Sequence, residues 1–591
     1  MGVSAGLVLD NFDLEGVEVL RGPQGLLFGK NVTGGAVLLR TTTPGQTLRV
    51  AGRVAVETGL NVIASGLVSG PLVTDRLAGK IAVYYNKDDG WFRNQANGQS
   101  LGKAEQFVLR SALNFTPSDD VQFIIRGEHG SFDGDGSVGQ NHALFPRGSF
   151  GVSQDTRGLS KADWNQITGE LNIDAAGGTI TNIASYRKIN TDAVNDLDAT
   201  PQFLANVRLQ MRQHQFSNEL RYSAKLGSVN LVTGLYYFDQ RILYVESRAL
   251  NGGTVNVSGG GTLEQRTLGA FVSADWELTE TFTVNLGARF SSERKRASVQ
   301  QVRAGGCNVD TRVCGETFSD KKTWGSFTPK VGFQWNPMSE LQVYGFYTRG
   351  FRSGGYNLRS TDAVVPPGPF DQEAQDSFEI GAKYGTWRSH VNVALFTNNV
   401  SGLQREIIVP GPLGFVQTIR NTADARIRGI EVDGKVELFE GFSLTGFLGY
   451  VDGKYKNVLL DISGDGVVNG VDLALGLPRL SPYTYGAGFN YEINDDAVGR
   501  IVANASIAHR DRAFFTDNNA GFLQGANILD ANLSWTPKAS MFTFSVYGKN
   551  LLNESTLGTD ALLPTAFGGP GASYSVLQKG RVIGGEVSFK F

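Results

Sequence analysis

The chain has 591 residues, enough for several soluble domains or one very large barrel. Lysine and arginine number 54 against 57 aspartate and glutamate, and the net charge of -3 leaves no electrostatic footprint for a nucleic-acid partner. Mean hydropathy is -0.15 and no apolar run reaches the ~18 residues of a membrane helix; this excludes a helical membrane protein but not a β-barrel, whose alternating strands average to neutral.

In chain order, Met1 to Asp10 carries neither the basic start nor the cleavage site of a signal peptide, so an exported chain would have its front end missing from this sequence. Gly16 to Ala36 follows, rich in glycine and holding a Gly22-Pro23 pair, the makings of tight turns in a small compact unit. Period-2 alternation then runs almost to the end. Leu77, Gly79, Ile81, Val83 and Tyr85 share one face of a strand, with Ala78, Lys80, Ala82, Tyr84 and Asn86 on the other. Phe107, Leu109, Leu113 and Phe115 repeat the pattern. A Thr-Pro-Ser-Asp-Asp turn leads to Val121, Phe123 and Ile125, and similar units flank Leu278–Thr281 and Asn336–Glu340.

Connections alternate between tight turns and long Gly- and Asn-rich segments, notably Asn86 to Gly102, Ser291 to Thr323 and Phe351 to Gln375. Short turns at one end and long loops at the other are the arrangement of an outer-membrane barrel; a soluble sandwich would have loops of similar length at both ends. The last residues, Ile583, Gly585, Val587, Phe589 and Phe591, share one face, so the chain ends inside a strand. In lipid that strand must pair with the first, because an open edge there is untenable.

Gly16-Val-Glu-Val-Leu-Arg-Gly-Pro-Gln-Gly25 and Leu26-Leu-Phe-Gly-Lys-Asn-Val-Thr-Gly-Gly-Ala36 resemble the end of the plug domain of TonB-dependent receptors. Thr348–Asn357 (TRGFRSGGYN) is similar to the family's mid-barrel signature, and Phe378–Lys383 (FEIGAK) and Asn421–Glu431 (NTADARIRGIE) to the strands after it. Val546–Asn553 and the terminal strand complete the series, so the resemblance covers the whole chain. It implies an all-β fold: a transmembrane barrel of about 22 strands over 48–591, and at 1–47 the C-terminal part of a plug. The plug motif residues are Arg21, Gly22, Pro23, Gly25, Gly29, Gly34 and Gly35. The front of the plug and the TonB box have no counterpart in this sequence.

By the same resemblance, the protein resides in the outer membrane of a Gram-negative bacterium, among its lipids. It takes up a scarce bulky ligand, with a ferric siderophore as the default, and is energised by the TonB-ExbB-ExbD complex in its full-length form. A glycan or cobalamin receptor and a passive porin are the alternatives; the plug motif and the chain length count against a porin. Haem is disfavoured because the stretch from Phe351 has no histidine before His390. Catalysis is not expected, since His129, His142, His214, His390 and His509 are scattered without ligand spacing. Trp91, Phe92, Phe145, Phe150, Phe514 and Phe515 fit either ligand-stacking aromatics or an interfacial girdle.

Three site expectations follow. Cys307 and Cys314 fall in a segment placed outside the cell, between strands ending near Phe290 and starting near Phe327; after passage through an oxidising compartment they are expected to pair. Asp461, Ser463, Asp465, Asn469 and Asp472 sit at positions one, three, five, nine and twelve of a loop with Gly466 at six and the Val467 carbonyl at seven, the spacing of a calcium loop; no cofactor beyond such structural calcium is required. Finally, the resemblance implies a lock between plug and barrel in which Arg21 meets Glu379 and Glu431. Alternation turns both glutamates inward independently, because Phe378, Ile380, Ile430 and Val432 take the lipid face. The family's second plug arginine has no clear match, Thr43 standing in its place and Arg40 nearby.

Overall fold

A computed structural model describes residues 12–360, 365–411, 414–565 and 572–591. The reading of Met1 to Asp10 and part of the Phe351 to Gln375 segment lie outside the described residues. Among those residues no helix is long and apolar enough to cross a membrane. Twenty-two antiparallel strands instead close into a barrel. It begins with β3 (Arg49–Glu57), β4 (Asn61–Val73) and β5 (Leu77–Asp88), and each later strand pairs with its predecessor. The last strand, Val582–Lys590, returns to β3 in register from Ala51↔Lys590 to Glu57↔Gly584. Val50 and Phe591 exchange both backbone hydrogen bonds, at 3.0 and 2.8 Å, so the seam closes up to the final residue.

The alternation read from the sequence separates lumen from lipid. Ala78, Lys80, Ala82 and Tyr84 are buried inward, while Ile81 on the opposite face is 59% exposed. Leu109, Leu113, Phe115 and Phe123 continue the outward apolar band. Aromatics crowd the short-turn end: Phe439 stacks on Phe442 at 4.9 Å, and Trp276, Trp335 and Trp535 are exposed where their strands reach the tight turns. This is the interfacial girdle of an outer-membrane barrel.

Wall height varies. Ala205–Leu226 and Val229–Leu250 are 22 residues each and pair throughout, whereas Phe542–Lys549 and Val582–Lys590 have 8 and 9. The tall strands correct the loop reading. Strand Phe282–Arg303 runs well past Phe290 and its partner starts at Phe318, so much of Ser291 to Thr323 is sheet. Asn86 to Asp88 likewise belong to β5. About 9–11 residues cross the membrane; beyond it neither face meets lipid, the alternation disappears, and a polar run such as Ser291-Ser-Glu-Arg-Lys-Arg296 reads as loop.

The outer-loop aromatics are neither a girdle nor an open stacking platform. Trp91 packs edge-on against Phe92 at 5.0 Å and Phe150 at 4.9 Å, in a cluster with Leu101, Val138, Val152, Leu523 and Phe515. Arg512 covers the Phe522 ring and Arg479 the Phe515 ring. These side chains hold the loops to one another.

Inside the lumen, β1 (Leu14–Arg21) and β2 (Gly35–Thr41) form an antiparallel pair, with a four-residue helix, α1 (Gly25–Phe28), between them. Residues 42–48 lead from β2 to the first barrel strand.

Candidate functional site

The joint between the β1–α1–β2 unit and the wall brings together two motifs far apart in sequence. Gly22 adopts φ +70 and turns the chain out of β1. Pro23 and α1 then press on the strand Leu341–Arg352: a Cβ on Gly350 would meet Pro23 at 2.9 Å, and one on Gly25 would meet the Arg349 carbonyl at 3.0 Å. Both glycines are therefore conditions of close approach. Asn31 N donates to Phe351 O at 2.9 Å, and Gln375 Nε2 donates to Thr33 O at 3.1 Å. The segments Arg21–Gly35 and Thr348–Asn357 thus face each other across this joint.

Arg21 Nη1 donates to Glu431 Oε2 at 2.6 Å and lies 3.7 Å from Asp433 Oδ1. It does not pair with Glu379, whose Oε1 accepts from Tyr344 Oη at 2.8 Å while Lys383 lies over the Tyr344 ring. The expected partner set is corrected to Glu431 and Asp433. These two stand two residues apart on one inward face of the strand Gly414–Phe439, so one guanidinium reaches both. Arg40 Nη2 lies 3.0 Å from Glu18 Oε1 and clamps β2 to β1 rather than to the wall. At Thr43 the polarity is reversed, its hydroxyl accepting from the wall residue Arg126 at 3.3 Å.

Two stronger fastenings escaped the sequence reading. Lys80 on β5 projects inward and donates to Asp13 Oδ1 and Oδ2 at 2.7 and 2.8 Å, and to Thr42 O at 2.5 Å, both side chains being essentially buried. Beside it, Phe12 inserts among Ala55, Ile63, Ala82, Tyr84 and Trp164, with the Arg110 guanidinium 4.4 Å from its ring centroid. On the opposite flank Lys30 Nζ lies 3.1 Å from Glu293 Oε2 and sits over the Phe238 ring. Glu293 is buried and also pairs with Lys295 at 2.9 Å and accepts from Ser353 and Gln265. A usable signal existed at Lys80, a lysine flanked by Ala78 and Ala82 on an inward face. Asp13 and Glu293 gave none, because their partners come from elements distant in sequence.

Cys307 and Cys314 face each other across a small hairpin whose strands, Cys307–Asn308 and Val313–Cys314, are two residues each, and are joined, Sγ to Sγ 2.13 Å. The loop Asp461–Asp472 is closed by its own hydrogen bonds. Asp461 accepts from Gly464 N and Gly466 N, and Asp465 from Val467 N and Asn469 Nδ2. Asp472 accepts from the backbone of Ile462, Ser463 and Asn469, and Asn469 caps the five-residue helix α2 (Gly470–Ala474). Ser463 Oγ donates to Asp461. The loop's acids act as backbone acceptors; among the described residues the acidic groups that converge are others, Asp155, Asp196 and Asp198.

A closed lipid-facing barrel of this size with a fastened inner unit is an outer-membrane receptor barrel. The family model described as TonB dependent receptor-like, beta-barrel matches residues 68–551, and the chain belongs to that family, proteins of the Gram-negative outer membrane. It is 25% identical to the pesticin receptor of Yersinia pestis over 92% of this chain and 76% of that one. It is 26% identical to the pesticin receptor of Yersinia enterocolitica over 73% of this chain, and spans 62% of that relative's length. Among solved structures, the ferric yersiniabactin uptake receptor FyuA of Yersinia pestis superposes with TM-score 0.83 at 20% identity, covering 98% of this chain and 86% of that one. The siderophore receptor PiuA of Acinetobacter baumannii follows at 0.78 and 15%, covering 98% and 87%.

Proposed function

We propose that this protein imports a ferric siderophore across the outer membrane, driven by the TonB-ExbB-ExbD complex. The observation that carries the reading is the fastened inner unit. Segment 12–41 is held to the wall by discrete ionic joints at Lys80–Asp13, Lys30–Glu293 and Arg21–Glu431, beside the apolar contacts of Phe12. Joints of that kind keep a lumen shut at rest and release when a force is applied to one side, which a passive porin does not need. The names of the similar proteins, two pesticin receptors, a ferric yersiniabactin receptor and a siderophore receptor, support the ligand class.

A structural neighbour, the copper transporter OprC, with TM-score 0.74 at 15% identity, suggests a bare metal ion instead. The composition argues against it. Copper sites draw on thiolate, thioether and imidazole, and this chain has 2 cysteines, both bridged, 4 methionines and 5 dispersed histidines. The receptor role is transport without covalent chemistry. Growth of a deletion strain under iron restriction on a panel of ferric siderophores, with cobalamin and glycan sources alongside, tests the proposal. At least one siderophore should support growth only when both this gene and TonB are intact. Growth defects confined to cobalamin or glycan media would redirect the assignment.

A further inference from the structure

The strand Gly178–Asp196 starts at the tight turn Ala175–Gly178 and is 19 residues long. Crossing the membrane takes about 9–11 residues, so Asp196 stands on the outer rim. There it meets Asp155, from the loop before Leu159, and Asp198, from the turn before Ala205. One carboxylate oxygen from each lies within 4.8 Å of the others.

Three carboxylates rarely converge without compensation, and here the protein's own donors are used up unevenly. Asp196 Oδ1 accepts from Asp198 N at 3.0 Å and Ala199 N at 2.7 Å; Asp198 accepts from Thr200 and from Ala205 N. Asp155 Oδ2 accepts from Thr156 Oγ1 at 2.9 Å. What remains is Asp196 Oδ2 and Asp155 Oδ1, both buried without a donor, and Asp196 is 0% exposed. Asn206 pairs with Asp196 across the sheet; its amide nitrogen donates to Thr156 Oγ1, and its carbonyl oxygen is buried and undonated too. The arginines next in sequence are occupied elsewhere, Arg157 with Asp135 and Arg208 with Asp192. Leaving buried acceptors without a donor is unfavourable, the more so for charged groups.

We infer that Asp155, Asp196 and Asp198, with the Asn206 carbonyl, form a binding site for a hard divalent cation, calcium in the first place. All the donors are oxygens, three are anionic, and they are mounted on two turns and a strand end. That combination suits a flexible oxygen cage of calcium type better than the strict octahedron of magnesium or the nitrogen and sulfur sets of zinc and copper. The cation would staple the 135–158 segment to the 197–204 turn, which the strand Gly139–Asn141 of that segment already meets through Asn141 Nδ2 donating to Asp198 O at 2.7 Å.

Calorimetric titration of calcium chloride into the purified, chelator-treated barrel in detergent tests this, with Asp196→Asn, Asp155→Asn and, in the other acidic loop, Asp461→Asn. Asparagine keeps an oxygen for the backbone donors, and a second variant covers the case in which one fails to fold. One site is expected in the parent, weakened at least tenfold in Asp196→Asn and Asp155→Asn and unchanged in Asp461→Asn, with magnesium competing poorly. Calcium binding lost only in Asp461→Asn would overturn the inference. So would an absence of binding in the parent together with a higher melting temperature for Asp196→Asn, the mark of a carboxyl pair that merely shares a proton.

Discussion

Lys80 is a full charge on a wall otherwise lined at that level by Ala78, Ala82 and Tyr84, and among the described residues its acidic partner is Asp13 of the inner unit. Removing one member of a buried pair strands the other and costs about 3–5 kcal/mol, whereas an exposed pair contributes at most about 1 kcal/mol. Arg21 is 59% exposed at its side chain and Glu431 31%, so the residue the family motif points to is the weaker fastening. Lys80→Met should therefore speed hydrogen exchange in β1 and β2 far more than Arg21→Ala, with the barrel ladder unchanged in both. Equal effects would show that the fastening is shared evenly. His142 offers a pH test at the same scale. Burial, then the Arg147 charge, holds its imidazole below the ordinary 6.5, and its Nε2 lies 2.7 Å from Ser575 Oγ. A group whose folded value is depressed stabilises fully above the unfolded value and loses that contribution as pH falls from 6.5 through the folded value. The pairing of Gly139–Asn141 with Tyr574–Val576 should accordingly show lower protection factors, corrected for intrinsic exchange, at pH 5.5 than at 7.5, and His142→Gln should abolish the difference.

Among elements, the strands were the most legible, because lipid on one side and a packed lumen on the other impose period 2. β5 shows it: Ile81 to lipid, Lys80 inward, as alternation required. The charges one residue apart make a sharp prediction. Ile81→Lys, near the middle of its strand, should cost about 2–4 kcal/mol in a refolding titration into vesicles, although a lysine is native at the next position. A cost near zero would place Ile81 outside the hydrocarbon. Strand ends were illegible beyond the membrane, where one face of Ser291 to Arg303 mixes Glu293 and Lys295 with Ala297 and Val299 and so announces no strand. The Cys307–Cys314 hairpin lies in that outer region. Its closed loop is short, so Cys307→Ser with Cys314→Ser should lower stability by about 2–3 kcal/mol on the chain-entropy estimate, as increased exchange confined to 304–317. A fall in melting temperature of the whole barrel would mean the bridge supports more than its own loop.

For the whole molecule, barrel closure followed from alternation and a terminal strand ending in Phe591, while the strand number came with the family resemblance. The joint between the inner unit and the wall was legible only in part. Arg21 and Glu431 were found through the motif, and Glu379 was assigned to the wrong partner because sequence shows which way a glutamate faces but not that Tyr344 would reach it first. The outer aromatics were misread for a related reason: Trp91, Phe150 and Phe515 come from three loops, and no one-dimensional pattern shows that loops pack on one another.

The seam between the first barrel strand and the last has a mechanical consequence. Ala51 meets Lys590 through a ladder of only a few residues, while the tall wall is zipped over 22-residue strands. Under a load applied at the C-terminus, the barrel is a row of zippers in series whose first element is among the shortest. The 9-residue terminal strand should tear away at the lowest force, turning the cylinder into an open curtain before any other hairpin yields. The two strands Ala205–Leu226 and Val229–Leu250 should then come out together, releasing about 16 nm of chain in one step. Single-molecule force spectroscopy in a supported bilayer reads both events directly. A first rupture longer than the terminal strand would show that the seam holds more firmly than its length implies.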